Sequence, residues 1–227
     1  MSRITDRGRF RMGRGTGDGG NYRSWLKSRD FDSTGTTYEV YDWKSQRIVQ
    51  CLSEGEGFWY YKLRFSEDVE DIKEQYPLTP LQETIDIAAE LGYKGSFNNN
   101  VVMTTDFLIT MTDGSKKAVS IKYSEDSVTK RNRECLKVEE EYWRRRGIPY
   151  EMGYKTDLNI IEIENIMNVV ESYDPRRVWD DDKCIARYLI AHHLITVDMT
   201  IKLDINEIVN TYKGTEIWNR TRSSLIH

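Results

Sequence analysis

An acid and a lysine lie at defined positions on two neighbouring predicted strands. Two apolar runs, 107–111 and 118–123, flank an Asp-Gly pair, which favours a β-hairpin because both residues tolerate positive φ. Side chains alternate between the two faces of a strand, so Ser120 and Lys122 share one face of the second strand. Asp106 lies at the start of the first strand, beside them. The hairpin therefore predicts an acid and a lysine on one side of a sheet.

This pair has the chemistry of a metal-dependent nuclease. The Asp106 carboxylate can hold Mg²⁺, which activates a bound water and shields a phosphate, and Lys122 can stabilise the developing charge. The same residues also have a plain structural interpretation, since an Asp often begins a turn and a Lys often protects an edge strand. Further acids near this pair would favour a nuclease site over the structural interpretation.

Glu56 is the first further acid. A helix is predicted over 53–65 with Ser53 as its N-cap, and Glu56 falls at the position of a capping box. Helix capping explains Glu56 without catalysis, so both roles remain open. Glu54, two residues earlier, is a conceivable substitute, but the spacing favours Glu56.

Glu139 is the second further acid. It lies in a long helix predicted over 127–146, where Glu140 and Glu141 each have an arginine four residues later. Glu139 instead has Trp143 at that spacing, which places it on or beside the buried face. A carboxylate there needs a partner, and a metal centre or Lys122 would supply one.

The N-terminal residues carry charge of the opposite sign to the rest of the chain. Residues 1–29 contain eight basic and two acidic residues, a balance of +6, and the chain total of −4 leaves −10 for the remainder. A basic, Gly-rich arm over 1–30 is predicted to lie along DNA phosphates. For residues before Gly13 a disordered tail is an equal alternative. The candidate DNA contacts are Arg9, Arg11, Arg14 and Lys27.

Composition excludes several other classes of protein. No apolar run approaches the length of a membrane span, and the polar, Arg-rich N-terminus is not a secretory signal. The three cysteines are far apart and lack zinc-ligand spacing, which is typical of reduced thiols in a cytoplasmic protein. The glycine-rich stretch 13–20 follows no strand and has no GK[ST], so it does not predict a nucleotide site.

The predicted elements indicate an α/β fold. Helix, strand, helix, two hairpin strands, long helix and strand follow one another within 31–156, and a mixed sheet with helices on both faces would bury them. The chain then changes character: helices are predicted at 158–170, 180–193 and 205–212, with a possible strand at 197–203. The region 157–227 is therefore expected to be a small, mostly helical, winged-helix-like domain. Its acidic balance suits docking to protein partners.

Several motifs, in order and with compatible spacing, resemble one known family. From about Gly13 to Asn159 the chain reads GRGTGDGGNYRSWL, LSEGE, VEDIKEQYPL, VMTTDFLIT, SIK and ECLKVEEEYWRRRGIPY. These are similar to the TnsA endonuclease subunits of heteromeric transposases. The resemblance implies a restriction-endonuclease-like fold and cleavage of the non-transferred (5′) strand of transposon-end DNA. It also implies Mg²⁺, with Mn²⁺ as a substitute, a TnsB-like DDE transposase, a TnsC-like ATPase and a bacterial or phage-encoded system.

The resemblance also implies roles for particular residues. The catalytic acid before the first helix falls on Glu56, the metal-binding aspartate on Asp106, the lysine on Lys122 and a further acid on Glu139. Glu56, Asp106 and the main-chain carbonyl of Ile121 would be the metal ligands.

One departure from the family's pattern bears on activity. Two residues before the lysine the family usually has an acid or an amide, whereas this chain has Ser120, a poor direct Mg²⁺ ligand that can hold a metal-bound water. Two alternatives therefore stay open: a weak or inactive assembly subunit that bridges transposase and ATPase, and a stand-alone phage or defence nuclease.

Overall fold

The computed structural model describes residues 4–30, 37–93 and 101–225. The chain divides into two compact units, Met1–Asp157 and Leu158–His227. The division falls one residue after the predicted boundary between the second and third domains. The predicted N-terminal arm is not a separate unit, because it belongs to the first one.

From residue 54 onward, the helices and strands of the first unit follow the predicted order, and a helix at 6–11 that was not predicted precedes them. Its elements are α1 (Asp6–Arg11), β1 (Tyr38–Asp42), β2 (Arg47–Cys51), α2 (Glu54–Phe65), β3 (Val69–Pro77), α3 (Leu81–Glu90), β4 (Thr104–Met111), β5 (Lys116–Lys122), α4 (Lys130–Arg144) and β6 (Tyr150–Tyr154). Strands β3 to β6 form a four-stranded sheet in the order β3-β4-β5-β6. The first two pairs are antiparallel, and β5 pairs with β6 in parallel. The mixed sheet is therefore confirmed, with β1 and β2 as a separate antiparallel pair.

Helices and the small sheet cover the two faces of the large sheet. On one face Phe107 and Val119 join a buried cluster with Tyr60 of α2 and Val49 of β2. On the other face Ala118 packs in a cluster with residues of α3 and α4. The predicted alternation along β5 is confirmed, because neighbouring residues enter different clusters.

Two helix starts differ from the prediction. Helix α4 begins at Lys130, later than predicted, because Thr129 accepts a hydrogen bond from the amide of Asn132 and caps the helix there. The residues before it form a short 3-10 turn. For α3, the Thr79-Pro80 pair of the sequence predicts Thr79 as the N-cap, whereas the structure has Pro80 there. The backbone of Thr79 exchanges hydrogen bonds with the hydroxyl of Tyr142.

The basic N-terminal segment packs on the large sheet instead of extending as a free arm. Tyr22 is buried, and its hydroxyl donates to the carbonyl of Glu74 at 3.0 Å. The amide of Val102 donates to Asp6 at 2.7 Å. The alternative of a disordered tail is therefore wrong for the described residues from 4 onward, and residues 1–3 lie outside the described ranges.

The second unit consists of helices joined by turns and irregular segments in its described part. Its helices are α5 (Ile160–Val170), α6 (Asp182–Ala191), α7 (Ile205–Tyr212) and α8 (Glu216–Leu225). The predicted strand at 197–203 is wrong, and between 158 and 225 no residue is in a strand. The winged-helix assignment is therefore not confirmed.

A buried amide explains why 197–203 is not a strand. Asn165 of α5 donates to the carbonyls of Met199 and Ile201 at 2.9 and 2.6 Å, and accepts from the amide of Leu203 at 3.3 Å. These backbone groups are satisfied by one side chain, so the segment does not need a partner strand.

Two predictions from composition can be compared with the described residues. None of their helices combines the length and apolarity required to cross a bilayer. Cys51, Cys135 and Cys184 are free thiols.

Candidate active site

Glu56 lies in the first turn of α2, and its carboxylate accepts hydrogen bonds from Ser53, Leu52 and Gln75. The Ser53 side chain accepts from the Glu56 amide at 3.2 Å, and its hydroxyl donates to Glu56 Oε1 at 3.0 Å. Oε2 accepts from the amide of Leu52 at 2.7 Å. The predicted capping role is thus confirmed, with Leu52 supplying the backbone amide. The same contacts aim the buried carboxylate at the centre of the sheet.

Asp106 and Lys122 meet across the central hairpin. Asp106 Oδ2 accepts from the amide of Ile121 at 2.7 Å and lies 3.6 Å from Lys122 Nζ. Lys122 Nζ also donates to the Ile121 carbonyl at 2.8 Å. The acid and the lysine therefore converge as the strand pattern predicted. The Ile121 carbonyl, predicted as a metal ligand, points toward the lysine.

Gln75 joins the two acids, and sequence reasoning missed it. Its Nε2 donates to Glu56 Oε2 at 3.1 Å and to Asp106 Oδ1 at 3.2 Å. Its Oε1 accepts from the Thr104 hydroxyl at 3.0 Å, which fixes the orientation of the amide. Gln75 is 1% exposed and has φ of 47°, a strained conformation for a residue other than glycine. The sequence does contain a signal for Gln75, because a polar amide in the strand β3, next to the central hairpin, is unusual unless it has a polar partner.

Glu139 is held on the α4 side of β5 by two hydroxyl groups. Ser120 donates a short hydrogen bond to Glu139 Oε2, and the Tyr150 hydroxyl donates to the same atom at 2.9 Å. The predicted partner, Lys122, acts on Glu139 only through its charge. The expectation that Glu139 needs a partner is confirmed, but the hydrogen-bond donors are Ser120 and Tyr150, a residue that sequence reasoning also missed.

The site holds three carboxyl groups and one lysine, and its electrostatics reflect that imbalance. Burial, followed by the charge of Asp106, raises the pKa of Glu56 to about 8. The same two causes raise the pKa of Glu139 to about 7, although Ser120 and Lys122 oppose the change. Burial lowers the pKa of Lys122, but Asp106 and the two glutamates outweigh it, so the net shift is upward. The site therefore favours the binding of a cation.

The donor set fits a magnesium ion held by few protein ligands. In the described ranges, no group of three or more His, Cys, Asp or Glu side chains converges into a metal cage. Mg²⁺ does not require one, because it is usually bound through one or two carboxylates and keeps several waters. Glu56 and Asp106 share one Gln75 amide, so two carboxylate oxygens already converge. These residues and the Ile121 carbonyl would hold the ion.

Other predicted site residues lie elsewhere. The exposed Glu54 forms an ion pair with Lys155 and does not join the site, which supports the choice of Glu56. Arg9 is 5% exposed and pairs with Asp6 at 2.6 Å, while Arg14 is 7% exposed.

Arg14 forms a short ion pair with Asp30 and donates to the Trp25 carbonyl at 3.1 Å. Both buried arginines, Arg9 and Arg14, are thus occupied inside the unit, which contradicts their predicted contacts with phosphates. Arg11 is exposed and Lys27 is partly exposed, and their DNA contacts stay predictions.

The central hairpin of the mixed sheet holds Asp106 and Lys122, and Glu56 of α2 lies beside them through Gln75. This arrangement is typical of an α/β nuclease domain. Comparison with known proteins identifies which type. Residues 66–153 match the model of the TnsA-like endonuclease N-terminal domain. The chain is also similar to the Transposon Tn7 transposition protein TnsA of Escherichia coli, with 33% identity over 162 residues, which cover 70% of this chain and 59% of that protein. Residues 66–153 are therefore a TnsA-like endonuclease N-terminal domain.

Proposed function

We propose that this chain is the Mg²⁺-dependent DNA endonuclease subunit of a heteromeric transposase. It cuts the non-transferred (5′) strand at transposon ends during cut-and-paste transposition. One observation carries the proposal: the Gln75 amide draws Glu56 and Asp106 together, with Lys122 only 3.6 Å from Asp106. Helix capping accounts for Glu56 alone. It does not account for a second carboxylate and a lysine beside it, since a hydrophobic cluster of the same size would cost less.

Each residue has a role that its contacts support. Glu56 and Asp106 bind the metal, with the Ile121 carbonyl beside them. The bound Mg²⁺ supplies an activated water and neutralises charge on the phosphate. Lys122 stabilises charge on the scissile phosphate, since it is the cation nearest Asp106. Glu139, oriented by hydroxyl donors, would support the metal shell. Its pKa of about 7 also suits it to accept a proton near neutral pH.

The proposed partners rest on the predicted resemblance to TnsA subunits. A transposition protein of this kind acts with transposon-end DNA, a TnsB-like DDE transposase and a TnsC-like ATPase. The second unit is proposed to dock to these proteins. Arg11 and Lys27 are proposed to touch DNA phosphates, because their side chains are at least partly exposed.

Strand-specific cleavage tests the proposal. A labelled transposon-end duplex is incubated in Mg²⁺ with and without the cognate transposase, using the wild type and Asp106→Asn. We expect nicking of the 5′ strand by the wild type and none by the variant. Asp86→Asn is the matched control, since Asp86 is exposed on α3 and bonds only to Gln82 in the described ranges; it should cleave like the wild type.

The other outcomes separate the alternatives. No cleavage by the wild type beside an active transposase would identify an assembly subunit, the alternative that Ser120 favours. Cleavage that needs no transposase would identify a stand-alone nuclease. Full activity of Asp106→Asn, with melting temperature unchanged, would refute the assigned site.

A further inference from the structure

The basic residues of α4 fall into two groups with different surroundings. Both cations in the second half of the helix are in ion pairs, Lys137 with Glu140 and Arg144 with Glu141. The two cations just after the helix are paired as well: Arg145 with Glu141 and Glu90, and Arg146 with Glu83. In contrast, the exposed side chains of Lys130, Arg131 and Arg133 in the first turn form no ion pair or hydrogen bond with any residue of the described ranges. In the described ranges, the acids of the preceding 3-10 turn, Glu125 and Asp126, form no ion pair with them either.

The position of these cations is unfavourable for the helix. The first turn of α4 contains no acidic residue, although acids stabilise the positive end of a helix and cations destabilise it by about 0.3–1 kcal/mol each. Helix stability therefore does not explain three cations there. Binding of a polyanion would explain them, because the same cations then gain charge-assisted hydrogen bonds to phosphates.

Arg131 lies on the helix face that leads to the active site. Residues four apart stack on one face of a helix, so Arg131, Cys135 and Glu139 form a line. The Cys135 thiol is close enough to sense the charges of Glu139, Arg131 and Lys122. Eight residues of helix span about 12 Å. A DNA strand rises by about 3.4 Å per nucleotide, so this distance corresponds to roughly three to four nucleotides.

We propose that Arg131, with Lys130 beside it, binds backbone phosphates of duplex DNA a few nucleotides from the scissile bond. Arg133 points away from this line by helical geometry, since two residues turn the helix by about 200°, and makes a smaller contribution. This assignment rests on the proposed function for its substrate class. It replaces Arg9 and Arg14, which are buried in ion pairs, with cations whose side chains are exposed and unpaired in the described ranges.

Binding without cleavage tests the assignment. The affinity of a labelled transposon-end duplex is measured in EDTA over a series of salt concentrations, for the wild type, Arg131→Gln, Lys130→Gln and Arg144→Gln. Loss of one phosphate contact should weaken binding to all duplex sequences alike and reduce the slope of log K against log salt by about 1. We expect this for Arg131→Gln, and a smaller change for Lys130→Gln. Arg144→Gln, with the same charge change on the same helix, should leave the slope unchanged.

The outcomes distinguish this inference from the proposed function. Equal slopes for Arg131→Gln and Arg144→Gln would overturn the inference, even if the wild type nicks transposon ends. A reduced slope for Arg131→Gln alone would support it, even if the wild type does not cut. A wild type that binds no duplex in EDTA would overturn it as well, because its phosphate contacts need no metal.

Discussion

Ser120 of β5 donates a hydrogen bond to Glu139 of α4. This pairing gives a structural role to the serine that stands where the family usually has an acid or an amide. The family's usual acid or amide at this position would reach into the site itself. Here a short side chain leaves room, and Glu139 of α4 extends to β5 with Oε2 bound by Ser120 and Tyr150. Glu139 thereby places a carboxylate beside Ser120.

We therefore expect Ser120 to be partly replaceable. Ser120→Ala should lower Mn²⁺ affinity by about tenfold or less, because Tyr150 still donates to Glu139. Ser120→Ala combined with Tyr150→Phe should lower Mn²⁺ affinity by up to about 100-fold, the upper limit for losing the hydrogen-bond partners of a metal-site carboxylate. Mn²⁺ titration followed by electron paramagnetic resonance measures both. Equal affinities in the double variant and the wild type would exclude Glu139 from the metal site.

Gln75→Leu should lower Mn²⁺ affinity, whereas a comparable buried substitution outside the site should lower only the stability of the fold. The variant removes the one amide that draws Glu56 and Asp106 together, and we expect Mn²⁺ affinity to fall by roughly tenfold or more. Gln50→Leu is the matched control, because its amide is also buried but bonds to Ser28 and Glu39. If both variants lose stability equally and bind Mn²⁺ equally well, Gln75 has only a packing role.

The metal-free protein should become less stable as the pH rises from about 5 to about 8. Glu56 and Glu139 have pKa values of about 8 and about 7 in the fold, against an ordinary value of 4.5. Between these limits the folded state holds protons that the unfolded chain has released, so the free energy of unfolding falls with pH. Thermal melting in EDTA across this range measures the slope. Glu56→Gln and Glu139→Gln should each flatten it, and an unchanged slope in both would contradict the assigned protonation.

A buried ion pair behind the site should dominate the stability of the sheet. Arg47 of β2 forms an ion pair with Glu74 at 2.7 Å, and Glu74 is 1% exposed. Arg47→Met leaves that carboxylate buried without its partner, so we expect a loss of about 3–5 kcal/mol in the free energy of unfolding, measured with urea. Arg144→Met, which breaks a pair on the protein surface, should show no measurable change. A similar small effect for both would mean that Glu74 is protonated in the fold.

The large elements were predictable because their signals are local. The Asp-Gly turn located the central hairpin, and Gly147, with φ of 65°, follows the end of α4 as the sequence predicts. Helix α8 was missed because its residues are mostly polar, with Trp218 as its principal buried side chain. The strand at 197–203 was predicted from apolar alternation, which does not reveal that Asn165, more than thirty residues earlier, binds its backbone.

The site was predictable only in part, because only some of its residues are brought together by local sequence patterns. Asp106 and Lys122 share a hairpin, so strand alternation alone brings them together. Gln75 reaches Glu56 and Asp106 through a left-handed backbone, which no local pattern of residue types indicates. The buried pairing of Arg14 with Asp30 likewise depends on how a loop folds, so a basic composition was a poor guide to exposure.

Glu56 has both a capping role and a proposed metal-binding role, and this affects how related chains that no longer cut DNA can be recognised from sequence. Its carboxylate caps α2 through Ser53 and Leu52, so selection for folding alone would keep it after catalysis was lost. Lys122 makes no comparable contribution, since its ammonium bonds only to the Ile121 carbonyl and pairs with Asp106 in the described ranges. In a survey of related sequences, loss of the lysine, not loss of the glutamate, is therefore the earlier marker of a chain that has given up cutting DNA and kept only its place in an assembly.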